Sequence, residues 1–249
     1  MEVKLVYSSR DPVGLTIKRL GYAIEEIQEE PIDFQYNLGD VIVVLCRHTS
    51  SRGIPSLTVH HPGNPTEATL GGRPRELGIA YPSLASHIFR SILTLPLEVE
   101  KTLEATHHGP TDIRKPVIFV EVGSSEREWT NERLVKATVD RVLQSLDSFL
   151  PQCEAVAVGL GGGHYAPSFN RLTIKGLCFG HIISKHSMNG ISEEVLRQAV
   201  KKSIERVEMA ILDNLNRSLK EKVVKAIAET GVEVLEQEKL GEGFKVRRF

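Results

Sequence analysis

The stretch 41-VIVVLC-46 runs straight into Arg47 and His48. It is short, continuously apolar and rich in β-branched residues. Such a run reads as a strand covered on both faces, the pattern of a largely parallel sheet flanked by helices. Working outward, further strands are expected at Val3–Tyr7, Ser56–His60, Val99–Thr106, Pro116–Val122, Ala155–Gly159 and Val232–Leu235, with Leu172–Ile183 extended. Helices are expected from Asp11-Pro12 to about Gln28, and over Tyr81–Leu95, Thr130–Phe149, Ser192–Leu215 and Leu219–Glu229. Asp11 before Pro12 is a helix start, with proline at the first helical position. Strands alternating with helices give an α/β fold: three layers, α/β/α, around a mixed, largely parallel sheet. The whole chain, 1–249, is expected to form a single domain, with a long loop insertion at about 47–75.

Composition narrows the function classes. The 249 residues carry 31 basic and 32 acidic side chains, a net charge of -1. No global field draws the chain to nucleic acid or an anionic membrane, so any nucleic acid must be met by a local patch. No apolar run is long enough to span a bilayer, and the N-terminus lacks the pattern of a signal peptide. Cys46, Cys153 and Cys178 are isolated and set among apolar residues. They read as small core hydrophobes in a reducing compartment, and the absence of a CxxC pair argues against a thiolate zinc site. A cytoplasmic protein is expected, with no membrane association, and a monomer is favoured.

The chemistry-bearing residues cluster at the ends of strands. The 41–46 strand ends at His48, the 99–106 strand at His107-His108, the 116–122 strand at Glu121 and the 155–159 strand near His164. In open α/β sheets ligands bind beyond the carboxyl ends of strands, so these loops are expected to share a crevice. Imidazole and carboxylate together are the ligand set of catalytic zinc, which keeps one position open for water. On chemistry alone the ligands are placed at His108, Glu121, His164 and His181, with His48, His107, His108 and Glu121 carrying catalysis. The bland alternatives are a polar turn for His107-His108 and a salt bridge for Glu121. His87 and His186 read as surface or capping groups, and His60 stands open between that class and a functional one.

The loop 159-GLGGGHY-165 holds Gly161, Gly162 and Gly163. Backbone N–H groups there can approach a ligand closely, as in an oxyanion site, or the loop is a plain tight turn. Pro167 and Asn170 do not announce a helix after the glycines, so no nucleotide cofactor is expected. Gly123-Ser124-Ser125 matches no serine-nucleophile pattern.

Five segments in order, LTVHHPGN (57–64), EATHHGPT (104–111), VEVGSSEREW (120–129), GLGGGHYAP (159–167) and FGHIISKH (179–186), resemble the archaeal and plant type of D-aminoacyl-tRNA deacylase. The resemblance runs from the N-terminal strand to about residue 210. It implies a phosphorylase/hydrolase-like fold similar in shape to peptidyl-tRNA hydrolase, dependence on zinc, and cleavage of the ester between a D-amino acid and the tRNA 3′ end. The motif positions are His48, His60, His107, His108, Glu121, Trp129, His164, Tyr165 and His181. His60, Trp129 and Tyr165, with Gly161–Gly163, are read as substrate contacts. The rival readings are a metal-dependent amidohydrolase or peptidase on small substrates, and a non-enzymatic metal- or RNA-binding module.

For tRNA, local contacts are expected from Arg47, Arg52, Arg73 and Arg75, from the run Arg217, Lys220, Lys222 and Lys225, or from Lys245, Arg247 and Arg248. The middle run reads equally well as a solvated helix face. The expected chemistry is attack by a hydroxide that a metal or a histidine base generates. The oxyanion would meet the metal or Gly161–Gly163, and one of His107 and His108 would protonate the departing ribose. A D side chain would point into open space while an L side chain meets a wall.

Overall fold

Asp11 opens the first helix as its sequence suggests. Its carboxylate accepts from the amides of Val13 and Gly14, and Pro12 occupies the first helical position. In the computed structural model, which describes residues 1–67 and 69–240, the chain runs β1 (Val3–Ser8), α1 (Pro12–Arg19), β2 (Glu25–Ile27), β3 (Val41–Thr49), β4 (Ser56–His60), β5 (Gly63–Asn64) and β6 (Glu76–Leu77). There follow α2 (Pro82–Leu93), β7 (Glu100–Leu103), β8 (Val117–Ser124), α3 (Glu126–Trp129), α4 (Glu132–Asp147), β9 (Ala155–Gly161), α5 (Pro167–Ile174) and β10 (Leu177–Ile183). The described chain closes with α6 (Lys185–Met188), α7 (Glu193–Lys201), β11 (Met209–Asp213), α8 (Arg217–Ile227) and β12 (Glu233–Glu236).

The architecture is α/β with mixed, largely parallel sheets and flanking helices. The strands divide between two main sheets, ordered β2-β1-β3-β8-β4-β7 and β10-β9-β11-β12, with β5 and β6 forming a small pair. All neighbours in the two main sheets are parallel except β4 and β8.

Alternation along β3 shows why VIVVLC is apolar throughout. Val41, Val43 and Leu45 join a cluster with Leu84, Ile88 and Val139 from α2 and α4. Ile42, Val44 and Cys46 face the other way, onto Phe34, Ile113 and Phe119. The first cluster also takes in Ala157, Phe169 and Phe179 from the second sheet and α5, so helices pack between the two sheets. The outer face of the second sheet, with Val156, Val158 and Leu160, is covered by Val195, Leu196 and Val223 of α7 and α8. No helix among the described residues is long and apolar enough to cross a membrane.

Four expectations need correction. The first helix stops at Arg19, and Gly21 turns the chain with φ +77° into β2, a parallel edge strand beside β1. The expected 192–215 helix stops at Lys201; Met209–Leu212 is instead a strand buried between β9 and β12. Its four apolar residues satisfy helical spacing as easily as a doubly covered strand, and the sheet decides. Pro167 does start a helix, at its first position, so the ground offered against a nucleotide after the glycines does not hold. Finally, Cys153 and Cys178 are not separate core thiols but a disulfide, which leaves Cys46 as the free cysteine and removes the support for a reducing compartment.

Candidate metal centre and active site

The site grows from one face of the six-stranded sheet. Cys46 on β3 and Thr58 on β4 both pair with Glu121 on β8, and Thr102 on β7 pairs with Thr58. Side chains repeat every two residues along a strand, so His48, His60 and Glu104 project on the same side, one step further along. Gly123 makes room for this crossing: a Cβ there would lie 2.4 Å from the carbonyl oxygen of His48. The turn after Thr106 adds His107 and His108, and the glycine loop after β9 adds His164.

Glu121 is the hub. One carboxylate oxygen lies 3.1 Å from His60 Nε2 and 3.2 Å from His108 Nε2, and the other lies 3.2 Å from His48 Nδ1. Burial alone would raise this carboxyl's pKa, but the hydrogen bonds from His108, His48 and His60 hold it well below the usual range. Burial pulls His48 and His60 down, and Glu121 outweighs it, so both imidazoles rise. Cys46, 3.7 Å from Glu121, is pushed up by burial and by that charge, which makes it an inert thiol.

The imidazole orientations are set by their outer nitrogens. Nδ1 of His60 faces the carbonyl of His61 at 3.2 Å, Nδ1 of His107 that of Ala105 at 2.8 Å, and Nδ1 of His108 that of Gly109 at 2.7 Å. A carbonyl can only accept, so each Nδ1 carries the proton and each Nε2 is left for the site. Ligating histidines typically show this arrangement, the outer nitrogen donating to a backbone carbonyl. His108 reaches its position with φ +45°, in the left-handed region that few non-glycine residues adopt. His60, His107, His108 and Glu121 offer four donor atoms all within 4.8 Å of one another. Two further groups overlap them, Glu104 with His107 and His164, and His48 with Glu104 and Glu121.

Of the residues expected from sequence, the structure thus brings together His48, His60, His107, His108, Glu121 and His164. It does not bring in His181. That ring is fully buried, with Nε2 donating to the carbonyl of Gly78 and Nδ1 accepting from the Thr106 hydroxyl, each at 3.1 Å. Burial holds it neutral, with its pKa lowered to about 4. Tyr165 contacts His48 Nε2 at 3.2 Å and donates to Ser50 at 2.7 Å, while Trp129 donates to the carbonyl of His48 at 2.9 Å and braces the end of β3. Gly162 already donates its N–H to the carbonyl of Asp213, which removes it from an oxyanion role. His87 bonds the carbonyl of Ser145, away from the cluster, as a capping group would.

Glu104 is the main residue that sequence reasoning missed. It is fully buried, 3.1 Å from His164 and 3.5 Å from His48, yet neither contact has hydrogen-bond geometry and both oxygens lack a partner. The signal was its two-residue offset from Thr102, on the face that carries the histidines. Asp11 was read only as a cap. It also accepts from the amide of Arg47 and borders the site, and burial raises its pKa to about 6 against those backbone hydrogen bonds. His61, beside His60, was passed over. It donates to Gly180 and accepts from the amide of Tyr81.

Of the basic residues expected to meet tRNA, Arg217, Lys220 and Lys225 pair with Glu221, Glu236 and Glu193, as a solvated helix face would. Arg75 pairs with Glu67, and Arg47 lies 3.7 Å from Asp11. Arg52 lies over the Tyr165 ring, 5.2 Å from its centroid, next to the site. Lys245, Arg247 and Arg248 lie outside the described residues.

A family model described as D-aminoacyl-tRNA deacylase matches residues 36–235. The curated D-aminoacyl-tRNA deacylase of Sulfurisphaera tokodaii is 49% identical over 229 residues, covering 92% of this chain and 96% of the relative. That of Saccharolobus solfataricus is 49% identical over 228 residues, covering 91% and 95%. A crystal structure of a conserved protein of unknown function superposes with a TM-score of 0.86 at 30% identity, covering 98% of each chain.

Proposed function

The chain belongs to the D-aminoacyl-tRNA deacylase family, and we propose that its cluster of imidazoles around Glu121 holds zinc and hydrolyses the ester between a D-amino acid and tRNA. The products are free D-amino acid and tRNA, as in chirality proofreading, work that fits the cytoplasm beside translation. The working unit in this reading is a monomer.

One observation carries the metal reading: three imidazoles turn their Nδ1–H outward to backbone carbonyls and leave Nε2 beside a single carboxylate. Nitrogen and carboxylate donors of this kind suit zinc. His60, His108 and Glu121 would hold it, with His107 completing the set. His164 and Glu104 stand next to His107 with a second, overlapping donor group. Zinc held there supplies Lewis acidity to an ester carbonyl and lowers the pKa of a water.

The remaining roles fall to the chain's own groups. His48 donates from Nδ1 to Glu121 and meets the Tyr165 hydroxyl at Nε2, so it fixes the carboxylate and connects it to Ser50. His164 is 45% exposed and backed by Glu104, which suits it to hand a proton to the departing ribose oxygen. His107 and His108 would commit Nε2 to the metal and are less suited to that transfer. Elemental analysis with a D-aminoacyl-tRNA assay on wild type and Glu121→Gln tests the reading. One zinc or more per chain is expected, with both metal and turnover lost in the variant. A metal-free wild type with full turnover would overturn it.

A further inference from the structure

Two cavities share a wall made of Leu70, His107 and His108. The smaller, of 240 Å³, has Asp11, Glu30, Ile32, Arg47, His48 and Glu121 among its other lining residues. The larger, of 480 Å³, is bordered by Asn64, Thr66, Gly163, His164, Ser184 and Ser187. Their chemistries differ. Asp11 is engaged by Arg47 at 3.7 Å, whereas Glu30 has no ion pair among the described residues. The larger cavity offers hydroxyls, an amide and imidazoles, with no carboxylate among its described lining residues.

An aminoacyl ester divides in the same way. Its α-ammonium is positive and its carboxylate is consumed in the ester, so it fits a chamber with a free carboxylate and an apolar wall. The 3′-terminal nucleoside is neutral, rich in hydrogen-bonding groups and tethered to phosphates, which a carboxylate-lined chamber would repel.

Leu70 is unusual for a residue on a shared wall. The residue is 60% exposed, yet its backbone is pinned. The Leu70 carbonyl accepts from Gly109, Asn64 donates to the carbonyl of Gly71 at 2.7 Å, and a Cβ on Gly71 would lie 2.1 Å from the carbonyl oxygen of Ile32. The backbone thus fixes where a large apolar side chain leaves the chain between the two cavities.

Resting on the deacylase reading, we propose that the smaller cavity takes the aminoacyl group with its α-ammonium toward Glu30, that the larger takes the 3′-terminal adenosine, and that Leu70 is the wall that rejects an L side chain. With the carbonyl at the imidazoles and the other two groups in separate chambers, three points are fixed. Inverting Cα then exchanges hydrogen and side chain, and only one of these can face Leu70 without collision.

Leu70→Ala and Leu70→Gly test the wall with D- and L-tyrosyl-tRNA. The readout is the ratio of the two esters: both variants should raise L-ester kcat/KM relative to D-ester kcat/KM by about tenfold or more, the scale on which a few methylenes discriminate. An unchanged D-to-L ratio in variants that still cleave the D-ester would overturn the role of Leu70 and leave the deacylase reading standing. A wild type inert on the D-ester would sink both. Ile32→Phe and Ser187→Trp test the assignment of chambers. The first should penalise D-tryptophanyl- over D-alanyl-tRNA. The second should raise KM for both alike and weaken inhibition by added adenosine. The reverse pattern would show that the chambers are exchanged.

Discussion

The Nε2 atom of His108 lies 3.2 Å from a carboxylate oxygen of Glu121, while Nδ1 of the same ring donates to the carbonyl of Gly109. The ring is held from behind and presented to Glu121 from the front. His60 and His107 repeat the backbone half of that arrangement, and His60 meets the same carboxylate oxygen at 3.1 Å.

Removing either partner should therefore remove the centre and not merely weaken it. His108→Ala and Glu121→Gln are expected to lower kcat by about 100-fold or more, since even the outer partners of metal ligands are worth about 10–100-fold. Affinity for tRNA should change little, because neither residue is a cation positioned for phosphate. Steady-state kinetics with zinc analysis checks this, and near wild-type turnover in either variant would contradict it.

His181 gives a prediction about stability. Burial lowers its pKa from 6.5 to about 4, so the folded state binds fewer protons than the unfolded chain between those values. Stability is then fully present above about 6.5 and lost as pH falls toward about 4, at about 1.4 kcal/mol per pH unit from this group. Denaturant unfolding across that window should show the slope, and His181→Asn should flatten it by that amount. An unaltered slope in the variant would mean that His181 is not the buried neutral group described.

The Cys153–Cys178 bond spans 25 residues and lies away from the imidazole cluster. Reducing it, or replacing both cysteines by alanine, is expected to cost about 3 kcal/mol of stability through the freed unfolded chain. Turnover below the melting range should be unchanged. A thermal scan with and without reductant, paired with an activity assay, measures both.

Salt dependence separates the cationic patches. Log KM for aminoacyl-tRNA should rise with log salt by about 0.7–0.9 per phosphate contact. Arg52→Ala and Arg73→Ala should each lower that slope by roughly one contact. Arg217→Ala and Lys220→Ala should not, because those side chains pair with Glu221 and Glu236. Equal effects from both pairs would relocate the tRNA path.

Much of this was legible from the chain because short apolar strands advertise themselves. VIVVLC and the strand at 56–60 were placed by composition; the end of the first led to His48, whereas His60 entered only through the family resemblance. The misses have physical causes. Met209–Leu212 is as apolar as a helix face, and only its place between β9 and β12 makes it a strand. His181 sits in a motif beside the site, but the hydroxyl of Thr106 and the carbonyl of Gly78 occupy both its nitrogens. Glu104 lay unremarked inside the expected 99–106 strand, and its role shows when β7 lies two strands from β8. The disulfide joins cysteines that β9 and β10 bring together and that spacing alone does not pair.

The most direct measurement is deacylation of matched D- and L-tyrosyl-tRNA by the purified chain, with and without exhaustive chelation, followed by zinc add-back. The D-ester should be cleaved far faster than the L-ester, chelation should abolish the reaction, and zinc should restore it. D-ester cleavage that persists at full rate after metal has been stripped below stoichiometry would contradict the assignment of the His60, His107, His108 and Glu121 cluster as the catalytic metal centre.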